Sequence, residues 1–360
     1  MQNDKEPLYP GAGLADRMEI PDWFRALVNK RILVTGAAGF IGGALFRRLQ
    51  AHGCDVTGTV LCPHEADAIG RGGGKAEVLD LASDEPFDRY VREIDVVFHL
   101  AAMFQETEHG EAMYRRVNET GALKLCQAAA AARVERFVHC STVGVHGDVQ
   151  EMPCKEASAF NPMDLYHRTK LAGELAILEF AKTLPAGGMV VTINRPAMVY
   201  GPGDMRMLKF FKAILSRRFV MIGSGEVMAH LGYIDDQVDS LILCAVAPRE
   251  KVHLEAFNIA SDRPVTLNEL ARLVADYGGV KIPKWHIPVF PLWLAGLACE
   301  VIWAPLKRRP PLSRRRVGFF TYNRAFDLSK AEAHLGYIRR WDNKAGIAKT
   351  IDWYREKGLV

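Results

Sequence analysis

The sequence predicts an α/β protein in which a parallel sheet with helices on both faces is joined to a smaller lobe of mixed structure. Three observations predict it. Short apolar runs alternate with helical patterns from Arg31 to about residue 200. The first of those runs ends in a glycine-rich turn that opens a helix. After Pro202 the alternation stops, and proline clusters appear at 283–291 and 310–311.

The elements follow in order. Residues 1–30 read as an extension, polar and with Pro and Gly, closed by a short amphipathic piece at 21–27. RILVTG, from Arg31 to Gly36, is a buried strand by composition. Residues 40–51 carry helical spacing, with Ile41, Leu45 and Leu49 on one face. DVTGTV (55–60), AEVLDL (76–81) and DVVFHLAA (95–102) read as further strands. A long helical pattern covers 111–133, followed by the strand RFVHCS (136–141). A helix over about 165–183 and the strand MVVTINRP (189–196) complete this half. The expected domains are an extension (1–30), a sheet domain (31–200) that opens with the glycine-rich turn, and a smaller lobe (201–360), some of whose segments return to the sheet. No repeat of fixed period is visible.

Composition narrows the class. With 49% hydrophobic and 24% charged residues the chain is ordinary for a globular protein, which argues against wholesale disorder. A net charge of +4 is too small by itself to argue for nucleic-acid binding. The seven cysteines are odd in number and form no CxxC pair, so neither a disulfide framework nor a metal site is expected, and a reducing, cytoplasmic setting is. The first residues have acids and no apolar core, unlike a secretory signal. The longest apolar run, 287–299, is stopped by Glu300, short of the ~20 residues a spanning helix needs.

The turn Thr35-Gly36-Ala37-Ala38-Gly39-Phe40-Ile41-Gly42 has G-x-x-G-x-x-G spacing. One glycine permits the tight turn, one lets backbone approach a pyrophosphate, and one lets helix and strand pack closely. The helix start offers free N–H groups and a positive dipole end. Glycines alone are weak evidence; their place between strand and helix makes the signal specific for a dinucleotide. At the end of the second strand, Thr59-Val60-Leu61-Cys62 supplies neither the carboxylate that holds the ribose of NAD nor a base for NADP. Arg71 follows in what reads as a loop, and the balance tips to NADP.

Tyr166 and Lys170 stand four apart at the start of a helix, on one face. A nearby ammonium favours the phenolate, so such a Tyr can exchange the proton of a secondary alcohol while hydride moves to or from a cofactor. The strand end Cys140-Ser141-Thr142-Val143-Gly144 offers a hydroxyl for the substrate oxygen.

With these residues in view, the chain resembles the extended short-chain dehydrogenase/reductases, the NAD(P)-dependent epimerase/dehydratase superfamily. The resemblance runs from residue 31 to about 355. It is carried by TGAAGFIG, Asp80-Leu81, DVVFHLAA, Val117-Asn118, HCSTVGVHG, YHRTK, RPAMVYGPGD and YIDD (233–236). It implies a Rossmann-type doubly wound sheet. Gly36, Ala38, Gly39, Phe40, Ile41 and Gly42 would cradle the pyrophosphate. Asp80 and Leu81 would meet the adenine. His99, Leu100, Ala101 and Ala102 would line the cofactor, with Asn118 behind the site and Pro196 to Val199 near the nicotinamide. Counted back from Gly147, the family's catalytic hydroxyl falls on Thr142, beside Ser141. Tyr166 would be the acid/base, and Lys170 would bind the nicotinamide ribose and tune Tyr166. Homodimerisation through the 111–133 and 165–183 helices is also implied.

Two substrate classes compete. Nucleotide-sugar members carry an Asn before VYG and an Arg before the second-lobe VDD-like motif, both suited to a polar, charged ligand. Here those positions hold Met198 and Ala229, although Arg206, Arg217, Arg218 or His230 could compensate. The C-terminal lobe resembles 3β-hydroxysteroid dehydrogenase-like and dihydroflavonol-reductase-like members. Its apolar helix carries Trp293, Leu294, Leu297, Val301, Ile302 and Trp303; Lys307, Arg308, Arg309, Arg314, Arg315 and Arg316 follow. The reading is hydride transfer at a secondary alcohol or ketone of a lipophilic, sterol- or flavonoid-like substrate. Peripheral contact of 287–316 with the inner face of a membrane is weighed against a merely buried helix and a solvated basic turn. The alternatives are a nucleotide-sugar epimerase, in which the sugar is oxidised transiently, and a non-catalytic dinucleotide sensor. His146, His167, Cys62 and Cys140 read as packing or solvated residues.

Overall fold

The computed structural model describes residues 21–104, 110–283, 285–303 and 318–360. Seven strands form its central sheet: β1 (Arg31–Thr35), β2 (Asp55–Val60), β3 (Lys75–Val78), β4 (Val96–His99), β5 (Arg136–Cys140), β6 (Val190–Pro196) and, from the C-terminal half, Ala256–Ile259. Their order is Ala256–Ile259, β6, β5, β4, β1, β2, β3, and every neighbouring pair is parallel. Strands buried on both faces read as unbroken apolar runs, which is why β4, β5 and β6 were legible. The edge strand β3 (KAEV) is mostly exposed and carries charge, as suits an edge.

The order reverses between β1 and β4. Such a switch point opens a crevice at the carboxyl ends of the strands, where α/β sheets bind ligands. Helices fill both faces. On one side Leu45 and Leu49 of the Phe40–Ala51 helix and the buried helix Ile234–Val246 pack on Val34, Phe98 and Val138. On the other, Leu125, Cys126 and Ile177 pack on Leu33, Val97 and Phe137.

Three differences from the sequence reading have physical causes. Residues 21–30 are not all extension: the Asp22–Leu27 3₁₀ helix buries Phe24 and Leu27 in the main core. Residues 63–71, read as loop, form the helix Pro63–Arg71. It buries no residue, so there was no apolar period to read; Pro63 and a capping box at Cys62 and Glu65 start it instead. The 111–133 helix is broken into Glu111–Arg115, a π-helical turn Arg116–Gly121 and Ala122–Ala131. A Cβ at Gly121 would lie 2.3 Å from the Leu81 carbonyl oxygen, so helix and cleft wall meet there only through glycine.

The second lobe is built from short two-stranded pieces, among them Met221–Ile222 with His286–Ile287, and from the Asn343–Glu356 helix. Trp341 stacks on Tyr233 at 4.2 Å, tying the C-terminal segment to the centre. The Val289–Trp303 helix carries the apolar run. The basic residues from Lys307 to Arg316 lie outside the described residues.

One buried ion pair locks the helix Leu165–Ala181 to β6. Arg195 and Glu174 are 3% and 0% exposed and meet at 2.5 Å. Arg195 also donates to the Glu156 carbonyl at 3.0 Å and to His146 Nε2 at 3.2 Å. Arg195→Met would leave the Glu174 carboxylate buried without its counter-charge. We expect a loss of about 3–5 kcal/mol in urea unfolding, largely recovered when Glu174→Met is added. A single variant as stable as the parent would refute this role.

Candidate active site

The glycine turn sits at the carboxyl end of β1. Gly36 has φ +71°, and a Cβ there would lie 2.9 Å from the Ala101 nitrogen. A Cβ on Gly42 would fall 2.2 Å from the Gly36 carbonyl oxygen. Side chains at these positions would break the contact between loop, helix and β4. Gly39 is the N-cap of the Phe40–Ala51 helix and brings no side chain to cover its free N–H groups. This cradle fits a pyrophosphate.

A cleft of about 1500 Å³ runs along the strand ends. Glu65, Asp80 and Leu81 line one end. Gly36, Ala38, Gly39, Phe40, Ile41 and Gly42 line the middle, opposite Leu100, Ala101 and Ala102. Thr142, Tyr166, Pro196 and Val199 line the far end. The residues that the resemblance assigns to the cofactor and to catalysis thus come together in one cleft, except Lys170, Asn118 and His99; His99, expected to line the cofactor, is buried at the end of β4, and all three lie behind the cleft wall.

Thr142 caps the 3₁₀ turn Val143–His146, its Oγ1 accepting the Gly144 N–H at 3.0 Å. That acceptor role leaves the Thr142 proton to donate into the cleft. Its neighbour Ser141 also lines the cleft, with a buried Oγ that has no partner among the described residues. Tyr166 lies in the first turn of Leu165–Ala181, which Asp164 caps by accepting the His167 N–H at 2.8 Å. The Phe104 ring meets Tyr166 edge-on at 4.8 Å. A Cβ at Gly144 would overlap the His167 ring, so glycine there seats His167 against the cleft.

Lys170 is 1% exposed, and its Nζ lies 3.2 Å from His139 Nε2. Burial lowers the Lys170 ammonium to about 8. His139 is held well below the usual histidine range, first by burial and then by Lys170; neutral His139 therefore accepts and Lys170 donates. His99 lies beside it, the ring centres 5.2 Å apart. The Thr35 hydroxyl accepts the N–H groups of Leu100 and Ala101, each at 3.0 Å. Its one proton must then go to His99 Nδ1 at 2.8 Å, which puts the ring proton on Nε2. Burial, with Lys170 adding to it, lowers His99 to about 3.

Asn118, expected behind the site, spends its side chain on the protein. Oδ1 accepts the Met103 N–H at 2.8 Å, while Nδ2 faces the Met103 carbonyl and Thr169 Oγ1 at 3.0 Å. It sits in the π-helical turn and ties the Met103 segment to the Tyr166 helix. It is a positioning residue rather than part of the cleft surface.

Sequence reasoning missed two charged groups. Glu65 lines the cleft, its Oε2 accepting the N–H groups of Leu61 (3.1 Å) and Cys62 (3.2 Å). A carboxylate thus stands at the end of β2 although none is adjacent in the chain; Pro63 before a Glu was the available signal. Arg71 ends the same helix, exposed and away from the cleft wall. Arg324 also lines the cleft, with donors on the carbonyls of Gly318, Phe319 and Tyr322. Burial lowers its pKa, while Asp148 and Asp164 favour its charge. No local sequence signal marked it.

Met198 lines the cleft, whereas Ala229 is buried, paired with Val265. Arg206 reaches the cleft, held by Asp204 at 2.9 Å and by the Val199 carbonyl at 2.7 Å. Arg217, Arg218 and His230 do not line it. Cys140 is buried at the cleft wall, while Cys62 is only half-buried at a helix start.

The Lys170 charge is held at a cost. With a folded value of about 8 against 10.5 for the free side chain, the unfolded chain binds the extra proton between these values, so this group's penalty is fullest below pH 8 and disappears by about pH 10.5. Lys170→Met should stabilise the cofactor-free protein at pH 7 by up to about 3 kcal/mol. The gain should fade as pH rises through that window. Melting curves at pH 7 and 10 test this; a destabilised variant at both would overturn it.

Comparison with known proteins agrees with this geometry. The model of the NAD dependent epimerase/dehydratase family matches residues 32–260. A 3-beta-hydroxysteroid dehydrogenase of Mycolicibacterium neoaurum is 27% identical over 91% of this chain and 92% of its own. A UDP-glucose 4-epimerase of Vibrio cholerae is 27% identical over 86% and 90%. Among solved structures, MoeE5 in complex with UDP-glucuronic acid and NAD is 26% identical, with a TM-score of 0.69 over 91% of this chain and 99% of that one. The match covers more than half of the chain, with the sheet, the glycine turn, Thr142 and Tyr166 inside it: this protein belongs to the NAD dependent epimerase/dehydratase family and is an NAD(P)-dependent oxidoreductase or epimerase.

Proposed function

We propose that the protein transfers hydride at a secondary alcohol or ketone of a lipophilic, ring-built substrate. The observation that carries this reading is the apolar part of the cleft lining, of which the Phe104 ring meets Tyr166 directly. Met103, Phe104, Met163, Met205, Trp293 and Phe319 supply it, and thioether side chains adapt to bulky apolar rings. Thr142 donates its proton to the substrate oxygen and fixes its position. Tyr166 takes the alcohol proton in oxidation, or returns it in reduction. The buried Lys170 charge, one helical turn on, favours the phenolate form of Tyr166. The nicotinamide, when bound, supplies or accepts the hydride.

The cofactor reading changes with Glu65. Its carboxylate, pinned at the end of β2 by two backbone N–H groups, keeps Oε1 for a ribose hydroxyl and repels a 2′-phosphate. The proposal is therefore NAD, against the NADP expected from the sequence. NADH should bind at least tenfold tighter than NADPH, and Glu65→Ser should narrow the gap mainly by improving NADPH. Equal affinities in the parent would dispose of this assignment.

Arg206 and Arg324 at the cleft favour a second reading, a nucleotide-sugar epimerase, because guanidinium suits a diphosphate. Incubation with NAD⁺ and either 3-hydroxysteroids or UDP-sugars separates the two. Net formation of reduced cofactor with a steroid supports the lead; sugar interconversion without net reduction overturns it. Tyr166→Phe should lower turnover at least a hundredfold, in the range that positioned acid–base groups contribute, with NADH affinity kept. Persistent turnover would remove Tyr166 from the acid/base role.

A further inference from the structure

The Val289–Trp303 helix turns apolar side chains outward. Phe290, Leu294 and Ile302 are 71%, 50% and 59% exposed. With the exposed Ala298 they recur every four residues, so they form one stripe that winds slowly along the helix. Trp285, just before the helix, is 62% exposed. Among the residues of this helix whose burial is described, Gly296 alone is buried. Isolated exposed apolar residues need no explanation, but a continuous stripe of large ones marks a surface meant to be covered.

Two observations identify what covers it. The chain that follows carries Lys307, Arg308, Arg309, Arg314, Arg315 and Arg316 and has no Asp or Glu between 304 and 317. An apolar helix face followed by a block of one positive sign matches an anionic lipid surface. The helix, at 15 residues, is only ~22 Å long, against ~30 Å of hydrocarbon. Among the described residues no helix is long and apolar enough to cross a membrane. A helix of this kind lies in the interface rather than spanning it. The same helix sends Trp293 into the wall of the cleft.

We propose that this helix docks the protein on an anionic bilayer through the stripe of Phe290, Leu294 and Ile302, and so places the Trp293 side of the cleft at the lipid surface. The docking stands on stripe and charge alone. Its use, delivery of substrate from the bilayer, rests on the lipophilic substrate proposed above.

Sedimentation of the whole protein with sucrose-loaded vesicles tests it. Vesicles of phosphatidylcholine with about one-third phosphatidylglycerol should bind it at least tenfold better than phosphatidylcholine alone, and less well as salt rises and screens the charges. Leu294→Asp with Ile302→Asp should cut binding at least tenfold while NADH affinity and melting temperature hold. Phe290→Ser gives a smaller loss if the double variant does not fold. Failure to bind anionic vesicles, or charged variants that bind like the parent, overturns the proposal. Self-association that the variants abolish, in a protein that ignores vesicles, also overturns it and makes a second copy the occupant. None of these outcomes bears on turnover of a dissolved steroid, so the substrate reading fails or stands separately.

Discussion

The close approach of backbone at the end of β1 is the constraint on which the rest depends. Gly36 turns left-handed against Ala101, and Gly42 presses its Cα on the Gly36 carbonyl. Because nothing projects there, the Phe40–Ala51 helix starts directly behind the strand and aims its free N–H groups into the crevice. Thr35, one residue earlier, uses its hydroxyl to hold the start of the opposite wall at Leu100 and Ala101. One short turn thereby sets the floor of the cleft and the spacing of both its sides.

Behind the far end of that cleft lies an expensive arrangement. Lys170, His139 and His99 are all buried, and His99 Nε2 and His139 Nδ1 have no partner among the described residues. Unpaired buried polar atoms cost stability, and a charge buried among them costs more. Such a cluster is hard to understand as packing and easy to understand beside a Tyr with the acid–base role proposed for Tyr166. The Arg195–Glu174 pair and the Asn118 tether hold the same helix from two other directions. The fold is therefore rigid where the proposed proton transfer needs Tyr166 at a fixed place.

The second lobe contributes shape more than chemistry. Trp293, Phe319 and Phe326 close the cleft over the sheet with apolar surface; Arg324 and the Asp204–Arg206 pair are its charged exceptions. Relatives named for steroid and for nucleotide-sugar substrates share about the same identity with this chain. That is expected if the common sheet supplies the hydride-transfer machinery and the lobe supplies the choice of substrate.

What the sequence determined by itself is whatever rests on short-range pattern. Apolar runs announced the buried strands, and glycine spacing announced the turn. The four-residue step from Tyr166 to Lys170 announced a shared helix face. Tertiary structure alone decided the rest. The Pro63–Arg71 helix buries nothing, so no apolar period marked it, yet it carries Glu65 back to the end of β2. His139 and His99 meet Lys170 only because β5 lies next to β4 in the sheet. Arg324 reaches the cleft from a segment far along the chain. Local periodicity records which way a side chain faces; which groups then stand opposite it depends on how distant segments pack, and the electrostatics of the site follow from that packing.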